Sequence, residues 1–108
     1  RRWYQKALES LRHRTRSKKL IVVTDNVEGA SKFFEEIDSS CYESIQIQSR
    51  SVSEDLSTML GCVGLINFNS TLSLMAFEES GVTKFGLFSK YLEEKAMSAD
   101  RRRFAIFV

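Results

Sequence analysis

The chain has 108 residues, 43% of them apolar and 11% aromatic, which allows one domain with a hydrophobic core and excludes a disordered or low-complexity chain. The formal net charge of +2 favours no class of partner by itself. With one histidine and two well-separated cysteines, we expect no metal site. No apolar run reaches the roughly 18 residues that a membrane-spanning helix requires.

The first half of the chain predicts two helices and two strands. Apolar residues at helical spacing predict an amphipathic helix over residues 3–14. A β-branched run over residues 19–25 predicts a buried strand, and Asn26 is a plausible N-cap for a helix to residue 37. Alternation over residues 43–48 predicts a strand with one exposed face.

The second half continues the alternation of helices and strands. Ser51 and Glu54 form a capping-box pattern at the start of a helix. A strand without charges follows at residues 63–68, which favours a central position in a sheet. A helix over 70–80, ended by Gly81, is followed by a strand over 83–88, a helix from Ser89 to residue 100 and a last strand over 103–108.

This alternation predicts an α/β fold. Strands followed by helices, without hairpin turns, indicate βαβ units and a Rossmann-like parallel sheet with helices on both faces. No linker or internal repeat is visible, so we expect a single domain over residues 1–108. Because the chain opens on a helical pattern at Arg1, we also expect it to be part of a longer protein.

Small polar residues gather where the strand 63–68 gives way to the next helix. Asn69 is followed by Ser70, Thr71 and Ser73, which would place hydroxyl and backbone N–H groups at a helix start. Helix N-termini favour negative charge, so a diphosphate could bind there without a metal. A simple N-cap explains one of these residues but not all. Both interpretations stay open on the residues alone.

Two aspartates lie near the same predicted sheet edge. Asp55, in the first turn of its helix, suits the helix dipole, or it could accept the N1–H and N2–H₂ groups that guanine presents side by side. Asp25 follows a strand and could line the edge, although capping of the next helix together with Asn26 is favoured.

The order of the segments "VVTDN", "SEDLSTMLGC" and "GLINFNSTLSLMAF" resembles the C-terminal half of GT-B fold fucosyltransferases, especially the α-1,2-fucosyltransferases. That family has an Asn-Ser-Thr-Phe-Ser-Trp-Trp signature, which stands here as residues 69–75. The opening "WYQKALESL" is similar to the helix that leads into this region. The resemblance covers about residues 3–80.

The resemblance implies an inverting fucosyltransferase that uses GDP-fucose as donor, a galactoside glycan as acceptor, and neither a metal nor a further cofactor. It implies that Ser70 and Thr71 contact the GDP phosphates and that Asp55 binds guanine. Ser73 would be a further member of the phosphate shell, and Asp25 matches an acidic residue of an upstream motif. No nucleic acid is a partner in this interpretation.

The chain departs from the family pattern in two ways. Leu74 and Met75 replace the paired tryptophans, and the His-x-Arg-x-Gly-Asp motif is missing. The arginine of that motif is thought to stabilise the leaving phosphate charge. Arg12-His13-Arg14 lacks the Gly-Asp and follows the first helix, so it is no substitute. We therefore expect the missing N-terminal part to supply this group, and the chain alone to be inactive, with no catalytic residue identified.

The clustered basic residues support a second hypothesis. A run of eight residues over 12–19 holds six that are Arg, His or Lys, and residues 101–103 are all Arg. They could bind phosphates or RNA, although a solvated turn is the favoured interpretation of 12–19. The alternative function is thus a non-catalytic Rossmann-like domain that binds RNA or a protein. The compartment stays open: the Golgi lumen for a eukaryotic relative, the cytoplasm for a bacterial one.

Overall fold

The computed structural model describes residues 2–67, 71–80, 85–90 and 97–108, and their strands and helices alternate along the chain. The helices are α1 (Arg2–Arg12), α2 (Val27–Glu36), α3 (Val52–Leu60), α4 (Thr71–Glu79) and α5 (Ala99–Arg102). The strands are β1 (Lys19–Val23), β2 (Ser44–Gln48), β3 (Gly64–Asn67), β4 (Phe85–Phe88) and β5 (Ala105–Phe107). The protein therefore has an α/β fold, as the sequence predicts.

The chain divides into two compact units. The first, Arg16–Asp55, is called the β1–β2 unit, and the second, Arg1–Thr15 with Leu56–Val108, is called the β3–β5 unit. The boundary falls inside α3, which starts in one unit and ends in the other. The expectation of a single domain over residues 1–108 stays a prediction.

The β1–β2 unit is a βαβ element built on two parallel strands. Lys19 pairs with Ser44 and Val23 with Gln48, so both strands end at the same edge. At that edge the Thr24 N–H donates to the Gln48 carbonyl at 3.1 Å. Helix α2 forms the crossover, and Asn26 caps it by accepting from the Gly29 N–H at 3.0 Å. The predicted cap at Asn26 is confirmed.

The β3–β5 unit contains a three-stranded parallel sheet in the order β3-β4-β5. Among the residues described, β3 pairs with β4 alone, so β4 is the middle strand and the prediction that β3 is central is wrong. A strand without charged residues is expected to be buried, and β4 also has none. Its residues Gly86, Leu87 and Phe88 are all buried. Charge-free strands do not reveal which of them lies in the middle.

Aromatic side chains form the core of this second unit. Phe77 of α4 and Phe88 of β4 are fully buried and meet edge to face, with ring centroids 4.9 Å apart. Glycine at position 86 permits this approach, since a Cβ there would lie 2.5 Å from the Phe88 ring and 3.0 Å from the Phe77 ring. The Trp3 indole N–H of α1 donates to the Val108 carbonyl at 2.9 Å, so α1 is attached beyond the end of β5.

In the predicted Ser51–Glu54 capping box the N-cap bond is confirmed: the Ser51 hydroxyl accepts from the Glu54 N–H at 3.2 Å, and it also donates to the Glu54 carboxylate at 2.9 Å. The helix expected over 89–100 falls partly on residues 91–96, outside those described. Residues 97 and 98 are not helical, and Ser98 instead caps the separate short helix α5. Gly81, the expected helix end, also lies outside the described residues.

Candidate functional site

Polar side chains lie beyond the carboxyl ends of the parallel strands in each unit. In open α/β sheets this is the edge where ligands bind, because the helix N-termini gather there. In the β1–β2 unit the relevant residues are Asp25, Gln48 and Asp55. In the β3–β5 unit they are Asn67, Thr71 and Ser73.

The β1–β2 unit holds a buried carboxylate–amide pair at its strand edge. Asp55 is 9% exposed and Gln48 is 6% exposed, and the Gln48 Nε2 group donates to Asp55 Oδ1 at 3.1 Å. The Gln48 Oε1 atom in turn accepts from Gln46 Nε2 at 3.2 Å. A buried carboxylate is costly unless hydrogen bonds satisfy it, and the Gln48 amide provides one.

The local sequence explains why Asp55 reaches the strand end. Ser51 lies three residues after Gln48 and directly before the first residue of α3. The Asp55 N–H donates to the Ser51 carbonyl at 2.9 Å, as the first hydrogen bond of the helix. Side chains on a helix tilt toward its N-terminus, so the Asp55 carboxylate lies back over the first turn. The capping box therefore directs this carboxylate toward the end of β2.

Asp25 has a different environment from Asp55. It is exposed and lies two residues after the last residue of β1. The helix cap that follows is formed by Asn26, whose own N–H donates to the Thr24 hydroxyl at 3.0 Å. Asn26 is thus the residue that caps α2, and a contribution of Asp25 to that cap stays a prediction. An exposed carboxylate beside a strand end is available to a ligand.

The strand edge of the β3–β5 unit carries buried and exposed polar groups side by side. Asn67, the last residue of β3, is 2% exposed, and its carbonyl accepts from the Ser89 N–H at 3.2 Å. Thr71 is the first residue of α4 and is exposed, whereas Ser73 is 6% exposed. Ser70, the other expected phosphate contact, lies outside the described residues. Of the α4 residues that the sequence singles out, Thr71 is the one that a ligand could reach from solvent.

The basic residues of the run over 12–19 are exposed, as expected of a solvated turn. His13 is among them and lies beyond the end of α1. The C-terminal arginines differ, because they contact aromatic rings. The Phe104 ring is 39% exposed and has the Arg101 and Arg103 guanidinium carbons at 5.4 and 5.0 Å from its centroid.

Within the described ranges no three His, Cys, Asp or Glu side chains come together as possible metal ligands. No helix in that part of the chain combines the length and apolar character needed to cross a bilayer. The expectation that the protein needs no metal stays a prediction.

Sequence reasoning missed the contribution of Gln48. The alternation of β2 places Ser44, Gln46 and Gln48 on one face, which was expected to be exposed, yet Gln48 is buried. The signal that could have found it is the distance along the chain: a first-turn aspartate follows seven residues after a strand-end glutamine. Such a pair can meet across the short loop between a strand and the next helix.

Comparison with known proteins adds no relative. The chain matches no protein-family model, no curated protein and no solved structure.

Proposed function

We propose that the chain is the donor-binding part of an inverting fucosyltransferase, which transfers fucose from GDP-fucose to a hydroxyl of a galactoside glycan. The proposal combines the resemblance of residues 3–80 to that family with the α/β architecture. The observation that carries it is the start of α4, where an exposed Thr71 follows a parallel strand within the family signature. Half of a GT-B fold is part of the same proposal.

The residues divide the task of holding the donor. Thr71, with Ser70 before it, supplies hydroxyl and backbone N–H groups to the phosphates, where the dipole of α4 also favours negative charge. Asp55 accepts from the guanine edge. Asp25 and Ser73 have supporting roles, one at an exposed strand end and the other buried in the first turn of α4.

The reaction proposed for the whole enzyme is an inverting displacement at the sugar. An acceptor hydroxyl attacks the anomeric carbon of fucose, the bond to the β-phosphate oxygen breaks, and GDP leaves with inverted configuration at the sugar. Hydroxyl and N–H donors at the start of α4 stabilise the charge that develops on the leaving phosphate. The proton of the acceptor hydroxyl passes to a general base, and neither this base nor the phosphate-binding arginine is assigned to a residue of this chain.

Thermal unfolding of the chain with GDP or with ADP tests the proposal. Asp55→Asn removes a charged acceptor for guanine, and Thr71→Ala removes a phosphate contact. We expect GDP to raise the melting temperature more than ADP does. Asp55→Asn should abolish that difference, whereas Thr71→Ala should reduce the shifts that GDP and ADP cause to the same extent. Matched controls are Asp100→Asn, an exposed first-turn aspartate of α5, and Ser57→Ala, an exposed hydroxyl of α3. Equal shifts with GDP and ADP would contradict the proposal.

One observation favours a second function, the binding of single-stranded RNA. The exposed Phe104 ring lies between Arg101 and Arg103, and aromatic rings beside cations form stacking surfaces for bases. Fluorescence anisotropy with a labelled oligonucleotide tests it. RNA binding that falls steeply with salt and is lost in Phe104→Ala would support this function, and absence of binding at low salt would exclude it.

A further inference from the structure

A continuous line of hydrogen bonds runs from solvent to the buried carboxylate of the β1–β2 unit. Gln46 is exposed and donates to Gln48, which is buried and donates to Asp55. The two bonds measure 3.2 and 3.1 Å. Gln46 and Gln48 lie two residues apart on one face of β2, so the strand itself aligns their amides.

Chemistry fixes the direction of this line. A carboxylate can only accept, so the Gln48 amide must turn its NH₂ group toward Asp55. Its carbonyl oxygen then lies on the other side, where it accepts from the Gln46 NH₂ group. Each bond therefore holds the next side chain in one orientation. The terminal torsion of an aspartate is otherwise broad, and the Gln48 bond restricts it.

The Gln48 bond leaves Asp55 able to bind a base. A carboxylate has about four acceptor positions, and Gln48 occupies one of the two on Oδ1. That bond by itself leaves one position on Oδ1 and two on Oδ2 for other donors. Guanine needs one on each oxygen, for N1–H and for one hydrogen of the 2-amino group. The pair of oxygens must face the base edge together for both bonds to form.

We propose that Gln48 is the positioning residue that makes Asp55 selective for the 2-amino group of guanine, an inference that rests on the proposed function. Gln48 holds the carboxylate plane so that both oxygens meet the base edge. Without it, the carboxylate rotates and keeps a single bond to N1–H. Loss of Gln48 then weakens the distinction between guanine and hypoxanthine, which lacks the 2-amino group, more than it weakens binding of the phosphates.

Calorimetric titration of the full chain with GDP, IDP and ADP tests this inference. A hydrogen bond to a charged group distinguishes GDP from IDP by about tenfold or more in dissociation constant. We expect that ratio in the unaltered chain and a ratio below about threefold in Gln48→Met, which keeps the side-chain length but removes the amide. Gln5→Met, an exposed glutamine of α1, is the matched control and should keep the full ratio.

The readout separates positioning from simple structural support. A role in stability alone would lower the unfolding midpoint of Gln48→Met and leave the GDP to IDP ratio intact, which would overturn the inference. If Gln48→Met does not fold, Gln46→Met removes the outer bond at an exposed position. That variant should lower the ratio by about twofold, and an unchanged ratio would overturn the inference as well.

Failure of the inference and failure of the proposed function give different results. A chain that prefers GDP over ADP and loses that preference in Asp55→Asn, yet keeps its GDP to IDP ratio in Gln48→Met, retains the proposed function without the positioning role. Equal binding of GDP and ADP would contradict both the proposed function and the positioning role of Gln48. A preference for GDP over ADP, together with a GDP to IDP ratio that falls in Gln48→Met and is unchanged in Gln5→Met, supports both the proposed function and the positioning role.

Discussion

Replacing Arg101 by alanine is expected to lower the free energy of unfolding by about 2–3 kcal/mol. Arg101 lies in α5, and its Nε–H group donates to the Phe77 carbonyl at 3.1 Å. The Phe77 carbonyl belongs to the last turn of α4, where carbonyls have no partner within the helix. The same guanidinium lies 4.4 Å from the centroid of the buried Phe77 ring.

The magnitude follows from these two contacts. A hydrogen bond to a charged group contributes about 1.5–3 kcal/mol, and a cation above a ring contributes about 0.5–1 kcal/mol when exposed and more when desolvated. Arg101 is half-buried, so neither contact is fully screened by water. Both depend on one guanidinium position and are not additive, so the expected loss is about 2–3 kcal/mol and not the full sum.

Urea unfolding followed by circular dichroism provides the assay, with the slope checked for constancy so that midpoints can be compared. Arg103→Ala is the matched control, because the Arg103 side chain is exposed and its guanidinium carbon lies 5.0 Å from the centroid of the Phe104 ring. Its expected loss is about 0.5 kcal/mol. Arg101→Lys keeps the charge but lacks the planar donor and should lie between the two. Equal midpoints for Arg101→Ala and Arg103→Ala would refute the reasoning.

Two further predictions concern helix ends and alkaline pH. The buried Ser80 hydroxyl donates to the Leu60 carbonyl, at the end of α3, at 3.1 Å. We therefore expect Ser80→Ala to lower the free energy of unfolding by about 1 kcal/mol in the same urea assay. An unchanged free energy of unfolding would show that another group satisfies that carbonyl. Partial burial raises the pKa of Tyr4, which stays 44% exposed, so the folded state holds that proton more tightly than the unfolded state does. This small contribution to stability is present below pH about 10 and is lost as the pH rises through the folded pKa. Urea midpoints on either side of that pH should fall less in Tyr4→Phe than in the unaltered chain, and equal falls would contradict the assignment.

Local signals in the sequence predict much of this fold. The cap at Asn26 and the capping box at Ser51 act within three residues, so they are visible in the sequence and are present in the structure. Alternation of strands and helices likewise predicts the parallel pairing. The order of strands depends on packing between distant segments, and for that reason the central position assigned to residues 63–68 is wrong.

The candidate site is harder to predict than the fold for the same reason. The exposure of Thr71 follows from its place at a helix start, but the burial of Gln48 depends on a carboxylate from the next helix. Arg101 shows a related effect. Residues 101–103 read as one basic patch, yet one of the three arginines is half-buried against Phe77 and the other two are exposed.

The central claim is that this chain holds a guanine nucleotide through Asp55. Calorimetric titration of GDP and ADP against the unaltered chain and Asp55→Asn, at one salt concentration, tests it most directly. The account predicts that GDP binds at least about tenfold more tightly than ADP and that Asp55→Asn removes this difference while ADP affinity stays the same. Equal affinities in the unaltered chain, or a GDP preference that survives in Asp55→Asn, would contradict it.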